Sequence, residues 1–221
     1  MPEIKAKVVI WDMDGVLVDS ASYHIIAWQR VFHKKGVRFT QEDFRRNFGQ
    51  RNDTIIRNTL GKQVTQDEID AIATEKEATF RKVAGQKIKP FPGVFKLLRS
   101  LPEHGFRMAL VSSAPRENVT LITGVLGIDN YFQSIITSED VTEGKPSPQG
   151  FLLAAQRLGV EPERCIVIED AVAGVAAAKR AGMRCLAVTN THPRESLKAA
   201  DLTVDTLEAV TVKDLERLLP E

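Results

Sequence analysis

Six short segments of the chain are apolar throughout, and each is followed by polar or small residues. They are rich in β-branched side chains, which favour extended backbone. Strands without polar alternation belong to sheets that are buried on both faces, and such sheets are usually parallel. The predicted strands are residues 8–11, 108–111, 135–137, 165–168, 185–188 and 202–204.

Segments with helical periodicity lie between most of these strands. Strands that alternate with helices indicate an α/β fold, here a Rossmann-like parallel sheet covered by helices on both sides. In such a sheet, ligands bind beyond the carboxyl ends of the strands. The residues that come after each apolar segment are therefore the first place to look for chemistry. The predicted helices are residues 94–100, 117–126, 148–158, 171–181 and 196–200.

One long segment interrupts the alternation. Between about residues 21 and 89 the apolar residues show only helical periodicity. Four helices are predicted there, around residues 25–32, 44–48, 55–60 and 69–80. We therefore predict two domains: an α/β core formed by residues 1–19 and 90–221, and an inserted all-helical cap formed by residues 20–89.

Composition excludes several classes of partner. The 221 residues include 30 Lys and Arg and 29 Asp and Glu, so no basic excess or polybasic block points to nucleic acid or to an anionic membrane. No apolar segment approaches the roughly 20 residues that span a bilayer, and the first residues, MPEIKAK, lack the apolar region of a signal peptide. Cys165 and Cys185 open apolar segments, which suits buried thiols in a reducing compartment. We expect a cytoplasmic monomer.

Two acids end the first predicted strand, in the stretch VVIWDMDGVLVDS. Asp12 and Asp14 follow the apolar residues directly, and Gly15 permits a sharp turn that directs both side chains to one point. Carboxylates held this close repel each other unless a positive charge lies between them. The pair therefore indicates a cation partner.

Polar residues also end the other central strands. Ser112 and Ser113 follow the second strand, Lys145 lies beyond the third, and Glu169 and Asp170 follow the fourth. Oxygen ligands of this kind suit Mg²⁺, which would relieve the repulsion among the acids. With Mg²⁺ and a lysine at one sheet edge, the expected guest is a phosphoryl group, whose transfer depends on positioning and electrostatic stabilisation.

The two aspartates can have different roles. One carboxylate can attack phosphorus, and the other can protonate the leaving oxygen and later deprotonate the incoming nucleophile. Ser112, Ser113 and Lys145 can donate to phosphoryl oxygens and are the predicted phosphate ligands. Each of these elements alone also fits a turn, a helix cap or a surface position, but their order and spacing together favour a site.

These motifs resemble those of the haloacid dehalogenase superfamily. The residues that carry the resemblance are Asp12-Met13-Asp14-Gly15, Ser112, Lys145 with Pro146, and Glu169-Asp170, and the helical insert resembles the cap of the β-phosphoglucomutase-like branch. The resemblance implies that Asp12 is the nucleophile, Asp14 the general acid and base, and Ser112 and Lys145 the phosphoryl stabilisers. It implies that Mg²⁺ is held by Asp12, the main-chain carbonyl of Asp14, Glu169 and Asp170.

Three cap residues and one core residue are candidate substrate contacts. His24 and Lys76 stand where the mutases have a histidine and a lysine that serve the site, although a helix histidine also fits simple packing. Arg51 lies near the position of a mutase arginine that binds a distal phosphate, but the loop sequence differs and the register is unclear. It also fits an exposed loop position. Arg116 is a further candidate for a distal phosphate or carboxylate.

Three functions remain open. The first is a Mg²⁺-dependent phosphatase that acts on a small phosphorylated metabolite, such as a sugar phosphate, through an aspartyl phosphate. The second is a β-phosphoglucomutase, in which a sugar hydroxyl replaces water as the acceptor; His24 and Lys76 favour it, and the loop around Arg51 counts against it. The third is an inactive binding module of the same fold, which the intact motifs disfavour.

Overall fold

The computed structural model of the chain describes residues 6–220, so residues 1–5 and 221 of the predicted core domain lie outside the described part. Six strands form one parallel sheet in the order β3-β2-β1-β4-β5-β6. This order confirms the predicted Rossmann-like sheet. The strands are β1 (Lys7–Trp11), β2 (Phe106–Val111), β3 (Ser134–Ile136), β4 (Cys165–Glu169), β5 (Arg184–Val188) and β6 (Leu202–Val204).

Helices cover both faces of the sheet. Alternate residues of β1 point to opposite faces: Val9 and Trp11 join one apolar cluster, and Val8 and Ile10 join another. The first cluster also includes buried residues of α5, α6 and α9, and the second includes those of α7 and α8. The helices of the core are α5 (Val94–Glu103), α6 (Arg116–Leu126), α7 (Gln149–Leu158), α8 (Val172–Arg180) and α9 (Val212–Glu216).

The segment between β1 and α5 is helical, as the periodicity predicts. Its own apolar cluster contains Trp28, Phe32, Phe39, Ile56 and further residues of all four helices, so this helical unit has a separate core. Thr40 and Thr65 form capping boxes that fix where two of the helices begin. The helices are α1 (Ala21–Lys34), α2 (Gln41–Asn47), α3 (Asn52–Leu60) and α4 (Gln66–Ala84).

The chain leaves and re-enters the sheet layer through two adjacent backbone segments. The Asp19 amide donates to the Lys89 carbonyl at 3.1 Å, and the Phe91 amide donates to the Leu17 carbonyl at 3.0 Å. An inserted unit needs one chain connection in each direction, and here the two connections are hydrogen-bonded to each other. We propose this pairing as the boundary between core and cap.

The predicted helix at residues 196–200 is wrong. One 3₁₀ turn, Arg194–Ser196, is present there, and residues 197–200 are turns and bends. The guanidinium of Arg194 bonds the Thr203 carbonyl at 2.7 Å and the Asp205 carboxylate at 2.7 Å, which ties the segment to β6 and to the residue just beyond it. Five residues before a strand are too few to gain much from helical hydrogen bonds. Helix α9 was not predicted, because it spans only five residues.

Both cysteines are buried free thiols, as the sequence suggests. Burial raises the pKa of Cys165 to about 12, so this thiol is unreactive at neutral pH. Within residues 6–220, none of the helices combines the length and the hydrophobicity needed to cross a lipid bilayer.

Gly93 offers a test of how α5 is anchored. Its φ is +87°, and a Cβ atom there would lie 2.3 Å from the carbonyl carbon of Leu207. Gly127 also has a positive φ, +64°, but a Cβ atom there would have no neighbour within 4 Å. Gly127→Ala should cost about 1–2 kcal/mol from backbone strain. Gly93→Ala should lower the free energy of unfolding by roughly 1–3 kcal/mol more, because backbone must move. Urea unfolding of both variants checks this, and equal losses would contradict it.

Candidate active site

The centre of the sheet edge brings the predicted acids together. Strand order reverses between β1 and β4, and at this point a parallel sheet leaves a crevice beyond its strand ends. Asp12 follows β1 directly, and its amide donates to the Ile168 carbonyl of β4 at 3.0 Å. Glu169 is the last residue of β4, and Asp170 comes next. All three side chains are buried.

Lys145 reaches into this crevice from the loop after β3. Its ammonium nitrogen lies 2.5 Å from Oδ1 of Asp12 and 2.5 Å from Oε1 of Glu169. A lysine this well buried remains charged only beside carboxylates, and here the two carboxylates outweigh the effect of burial and raise its pKa. Ser112 lines a small cavity beside Lys145, and its hydroxyl accepts from the Ala114 amide at 3.1 Å.

The three acids fit a divalent metal ion. Asp12, Glu169 and Asp170 each offer a carboxylate oxygen, and these oxygens lie within 4.8 Å of one another. Within the described part of the chain, Oδ1 of Asp170 is buried and has no hydrogen-bond donor. Its other oxygen accepts from the Thr191 hydroxyl. A buried carboxylate oxygen without a donor is costly, and a hard cation would satisfy it.

The titration of these acids reflects the excess of buried negative charge in the cluster. Burial, opposed by Lys145 and reinforced by Glu169, raises the pKa of Asp12 to about 8. Burial and the adjacent Glu169 and Asp12 carboxylates raise the pKa of Asp170 well above its usual range. One lysine is therefore not enough to neutralise the cluster, and a divalent cation would complete the neutralisation.

Two glycines leave room for the acids. A Cβ atom on Gly15 would lie 1.9 Å from Oδ2 of Asp170, and one on Gly174 would lie 1.8 Å from Oε1 of Glu169. Gly174 belongs to α8, where alanine would favour the helix more. Glycine is required at this helix position because the Glu169 carboxylate occupies the space that a Cβ atom would fill.

Asp14 faces the helical unit instead of the acid cluster. Its Oδ1 accepts from the Ser20 hydroxyl at 2.5 Å and contacts Nε2 of His24 at 3.1 Å. Nδ1 of His24 lies 2.9 Å from the Lys76 ammonium, which can only donate. Nδ1 is therefore the acceptor, and the ring proton lies on Nε2 and is donated to Asp14. The His24 ring stacks on Phe80 with centroids 3.9 Å apart, which fixes its plane.

The environment of Asp14 favours its ionised form. Burial acts to raise the pKa of Asp14, but the hydrogen bonds from His24 and Ser20 and the nearby charge of Lys76 outweigh burial and hold this pKa below its usual range. The two aspartates of the motif thus have opposite tendencies, because Asp12 lies among acids and Asp14 among donors. Such a separation is typical of paired carboxylates with different catalytic roles.

Several hydrogen bonds join the helical unit to the core around the crevice. The Ser113 hydroxyl donates to the Gly49 carbonyl at 2.8 Å, so this predicted phosphate ligand contacts the cap loop. Arg51 extends the other way, and its Nη1 donates to the carbonyls of Ser138 and Val141 in the core. Nε2 of His192 lies 3.2 Å from the Arg45 carbonyl. The structure is therefore closed over the crevice.

A buried polar pair completes this closure. Glu77 of α4 lies next to Lys76, and its Oε2 accepts from Nδ2 of Asn118 in α6 at 2.6 Å. Oδ1 of Asn118 accepts in turn from Arg81 at 3.0 Å. Both Glu77 and Asn118 are buried. Glu77 neutralises Lys76, and the neutral Asn118 amide links this pair to Arg81, whose acidic partner is Glu117, in a continuous network.

The candidate Arg116 bonds a carboxylate outside the Asp12, Glu169 and Asp170 cluster. Its guanidinium bonds the Asp140 carboxylate at 2.7 Å, and its side chain is half exposed. Asp140 also accepts from Arg157 and from the Thr137 amide and hydroxyl. Arg116 therefore takes part in an ion-pair cluster at the end of β3.

Sequence reasoning missed Ser20, Glu77, Asn118 and Thr191. Ser20 was visible as a hydroxyl just before a predicted helix, a position that usually caps the helix. Here α1 shows no side-chain cap bond at Ser20, and the hydroxyl serves Asp14 instead. No periodic pattern could pair Glu77 with Asn118, which are 41 residues apart.

Two adjacent cavities lie between the helical unit and the core. A small chamber of about 40 Å³ is lined by Asp14, His24, Lys76 and neighbouring residues. An outer cavity of about 550 Å³ lies beyond it, and the two share Asn52, Glu77 and Ser113 as wall residues. The outer volume is in the range of small-molecule sites.

Comparison with known proteins agrees with this geometry. A family model described as haloacid dehalogenase-like hydrolase matches residues 9–188. The chain is 32% identical to validoxylamine A 7'-phosphate phosphatase from Streptomyces hygroscopicus subsp. limoneus, over 92% of this chain and 95% of that protein. It is 31% identical to the β-phosphoglucomutase of Bacillus subtilis, over 94% and 92%. The crystal structure of β-phosphoglucomutase from Clostridium difficile superimposes with a TM-score of 0.88, at 27% identity and 96% coverage of both chains.

The raised pKa values predict a pH-dependent effect of Mg²⁺ on stability. Between the usual carboxyl pKa of 3.8 and the folded pKa of about 8 for Asp12, the folded chain holds more protons than the unfolded chain. Without metal, the free energy of unfolding contributed by these acids therefore falls as pH rises through this window. Mg²⁺ binds the ionised carboxylates, so its stabilising effect should grow over the same window.

Thermal unfolding at pH 5.5 and 8, with and without Mg²⁺, measures this effect. At about 100 times its Kd, Mg²⁺ contributes ~2.7 kcal/mol, which is roughly 5–10 °C in Tm for a chain of this size. We expect this rise at pH 8 and a clearly smaller one at pH 5.5. Asp170→Asn should abolish most of the rise. Equal rises at both pH values would contradict the assignment.

Proposed function

Because this chain belongs to the haloacid dehalogenase-like hydrolases, we propose that it is a Mg²⁺-dependent phosphatase of a small phosphorylated metabolite, most suitably a sugar phosphate. The observation that carries the proposal is that the two aspartates at the sheet edge have different surroundings. Asp12 lies among acids that fit a metal, and Asp14 lies 3.1 Å from a histidine of the helical insert, beside a chamber adjacent to the outer cavity. The phosphatase relative supports the reaction class.

Asp12, Glu169 and Asp170 would hold Mg²⁺, together with the main-chain carbonyl of Asp14. When bound, the ion supplies positive charge that lowers the pKa of the acids and compensates the negative charge of a phosphoryl group. Lys145 would bind a phosphoryl oxygen with its ammonium, which already lies at Asp12. Ser112 would donate its hydroxyl to another phosphoryl oxygen.

The reaction then proceeds in two halves. A carboxylate oxygen of Asp12 forms a bond to phosphorus, the bond from phosphorus to the leaving oxygen breaks, and Asp14 gives its proton to that oxygen. The ionised Asp14 then takes a proton from water as the water oxygen attacks phosphorus. The Asp12–phosphorus bond breaks, and inorganic phosphate leaves with Asp12 restored. Closure of the cap over the crevice excludes other water.

The lowered pKa of Asp14 affects the two halves differently. The ionised form is ready to act as a base in the second half. The first half needs the protonated form, which is the minor form at neutral pH. A leaving group that departs without a proton, such as p-nitrophenolate, avoids this requirement.

Two variants separate the roles of the aspartates. With p-nitrophenyl phosphate, Asp12→Asn should form no phosphoenzyme and release no p-nitrophenol. Asp14→Asn should release one equivalent in a burst and accumulate the aspartyl phosphate, with steady-state turnover lowered about 10²–10⁴-fold by loss of the general base. Intact-protein mass spectrometry under acid quench detects the added phosphoryl group. A burst from Asp12→Asn, or none from Asp14→Asn, would contradict the assignment.

A β-phosphoglucomutase is the second candidate. The contact from His24 to both Asp14 and Lys76 favours it, because it links the proton-transfer residue to the cap. The 31%-identical relative named β-phosphoglucomutase supports it as well. In this reaction a sugar hydroxyl takes the place of water in the second half.

Phosphorus NMR distinguishes the two candidates. The protein is given Mg²⁺, β-glucose 1-phosphate and a trace of glucose 1,6-bisphosphate, with Asp12→Asn as the inactive control. We expect free phosphate to grow. Glucose 6-phosphate that accumulates without free phosphate would establish the mutase instead.

A further inference from the structure

The guanidinium of Arg51 is already engaged within the protein. Nη1 donates to the Val141 carbonyl at 2.6 Å and to the Ser138 carbonyl at 3.1 Å, and Nε lies 3.4 Å from the Asp53 carboxylate. Arg51 precedes α3 in the cap, whereas both carbonyls belong to the core loop after β3. The side chain therefore holds cap and core together.

The core is shaped to receive this side chain. A Cβ atom on Gly144 would lie 2.5 Å from Cδ and 2.6 Å from Cγ of Arg51. Gly144 has ordinary backbone angles, since its φ is not in the left-handed region. Its lack of a side chain is thus required by the approach of Arg51 and not by the local backbone.

The outer cavity next to Arg51 is predominantly acidic. Five carboxylate side chains and two guanidinium groups line it, which gives three net negative charges before any metal or substrate binds. The carboxylates are those of Asp53, Asp70, Glu77, Glu117 and Glu139, and the guanidinium groups are those of Arg51 and Arg81.

Each cationic side chain that lines the outer cavity or the small chamber already has an acidic or carbonyl partner within the described residues. Arg81 pairs with Glu117 at 2.9 Å and with the Asn118 carbonyl oxygen. Lys76 pairs with Glu77 at 2.8 Å. A second phosphate on the substrate would have to enter a negative cavity and displace one of these partners. Displacement of Glu77 would leave a buried carboxylate without the Lys76 ammonium.

We infer that Arg51 clasps the closed cap to the core, and that the site selects phosphomonoesters whose leaving group carries no second anionic group. Hydroxyl and ammonium substituents suit the acidic walls, whereas a second phosphate or a carboxylate is repelled. This inference rests on the proposed phosphatase function and specifies its substrate class. Arg51 is a positioning residue in this view, because it acts through cap closure and does not contact the substrate.

Inhibition of p-nitrophenyl phosphate hydrolysis tests the selectivity without the natural substrate. The competing ligands are glucose 6-phosphate, glucosamine 6-phosphate and glucose 1,6-bisphosphate, at constant ionic strength and constant free Mg²⁺. We expect the bisphosphate to have an inhibition constant at least tenfold higher than glucose 6-phosphate, and glucosamine 6-phosphate to bind as tightly as glucose 6-phosphate or more tightly. Equal constants for the three ligands, or a bisphosphate that binds most tightly, would overturn the inference. Absence of p-nitrophenyl phosphate hydrolysis would instead count against the proposed function.

Arg51→Ala distinguishes a clasp from a phosphate ligand. A clasp predicts that the inhibition constants of glucose 6-phosphate and glucose 1,6-bisphosphate rise together, with the bisphosphate constant rising at most severalfold further because one positive charge of the cavity wall is also lost. A distal-phosphate ligand predicts a selective rise of tenfold or more for the bisphosphate, and this result would overturn the inference. If Arg51→Ala does not fold, Arg51→Lys serves the same comparison, because lysine keeps the charge but lacks the planar fork.

Charge reversal in the cavity wall is an independent check. Asp70 is exposed on α4 and lines the outer cavity. Asp70→Lys should lower the inhibition constant of the bisphosphate severalfold relative to that of glucose 6-phosphate. Asp129→Lys makes the same charge change at an exposed position outside the cavity wall and should leave the ratio unchanged. Identical ratios in the two variants would contradict a role for the cavity charge.

Discussion

Repulsion among carboxylates at one edge of the sheet is the constraint around which this molecule is organised. Parallel strands β1 and β4 place Asp12, Glu169 and Asp170 in a buried crevice, where one lysine provides the opposing charge. Three acids and one ammonium leave the crevice electrostatically incomplete without a further cation. Nearby, Gly15 and Gly174 lack side chains because carboxylates occupy the space that a Cβ atom would fill. The close approach of the backbone at these two glycines is therefore part of how the carboxylates are accommodated.

Asp14 belongs to a different electrostatic environment although it is only two residues from Asp12. Its contacts run from Ser20 and His24 to Lys76 and Glu77, and then through Asn118 into α6. This network is buried, and its hydrogen-bond partners come from both the helical insert and the sheet layer. The groups that hold the pKa of Asp14 below its usual range therefore come from the helical insert.

The sheet and the central acids were predictable because their signals are local. Each strand is apolar throughout, and each functional side chain follows a strand end, so parallel topology alone brings Asp12, Lys145 and Glu169 to one place. The insert was predictable from its helical periodicity. The segment at 196–200 was mispredicted because the preceding Arg194 holds this part of the chain through tertiary bonds to residues 203 and 205.

Contacts between cap and core were not predictable, for the same reason. Ser113 and Arg51 were recognised as candidates from their neighbours in sequence, but their hydrogen bonds go to Gly49, Ser138 and Val141. Such pairings depend on how two separately folded layers meet. A single sequence contains no periodic pattern that would predict contacts between the helical insert and the core.

Four of the cap–core bonds near the crevice use main-chain carbonyls as acceptors, at Arg45, Gly49, Ser138 and Val141. A carbonyl acceptor is present whichever side chain its residue carries. The side chains at Arg45, Ser138 and Val141 can therefore be exchanged without removing the acceptors that hold the lid shut. Among the outer-cavity wall residues, Ser138 can therefore change without loss of its closing acceptor, whereas Arg51 and Ser113 supply the donors of these bonds and must be kept for closure.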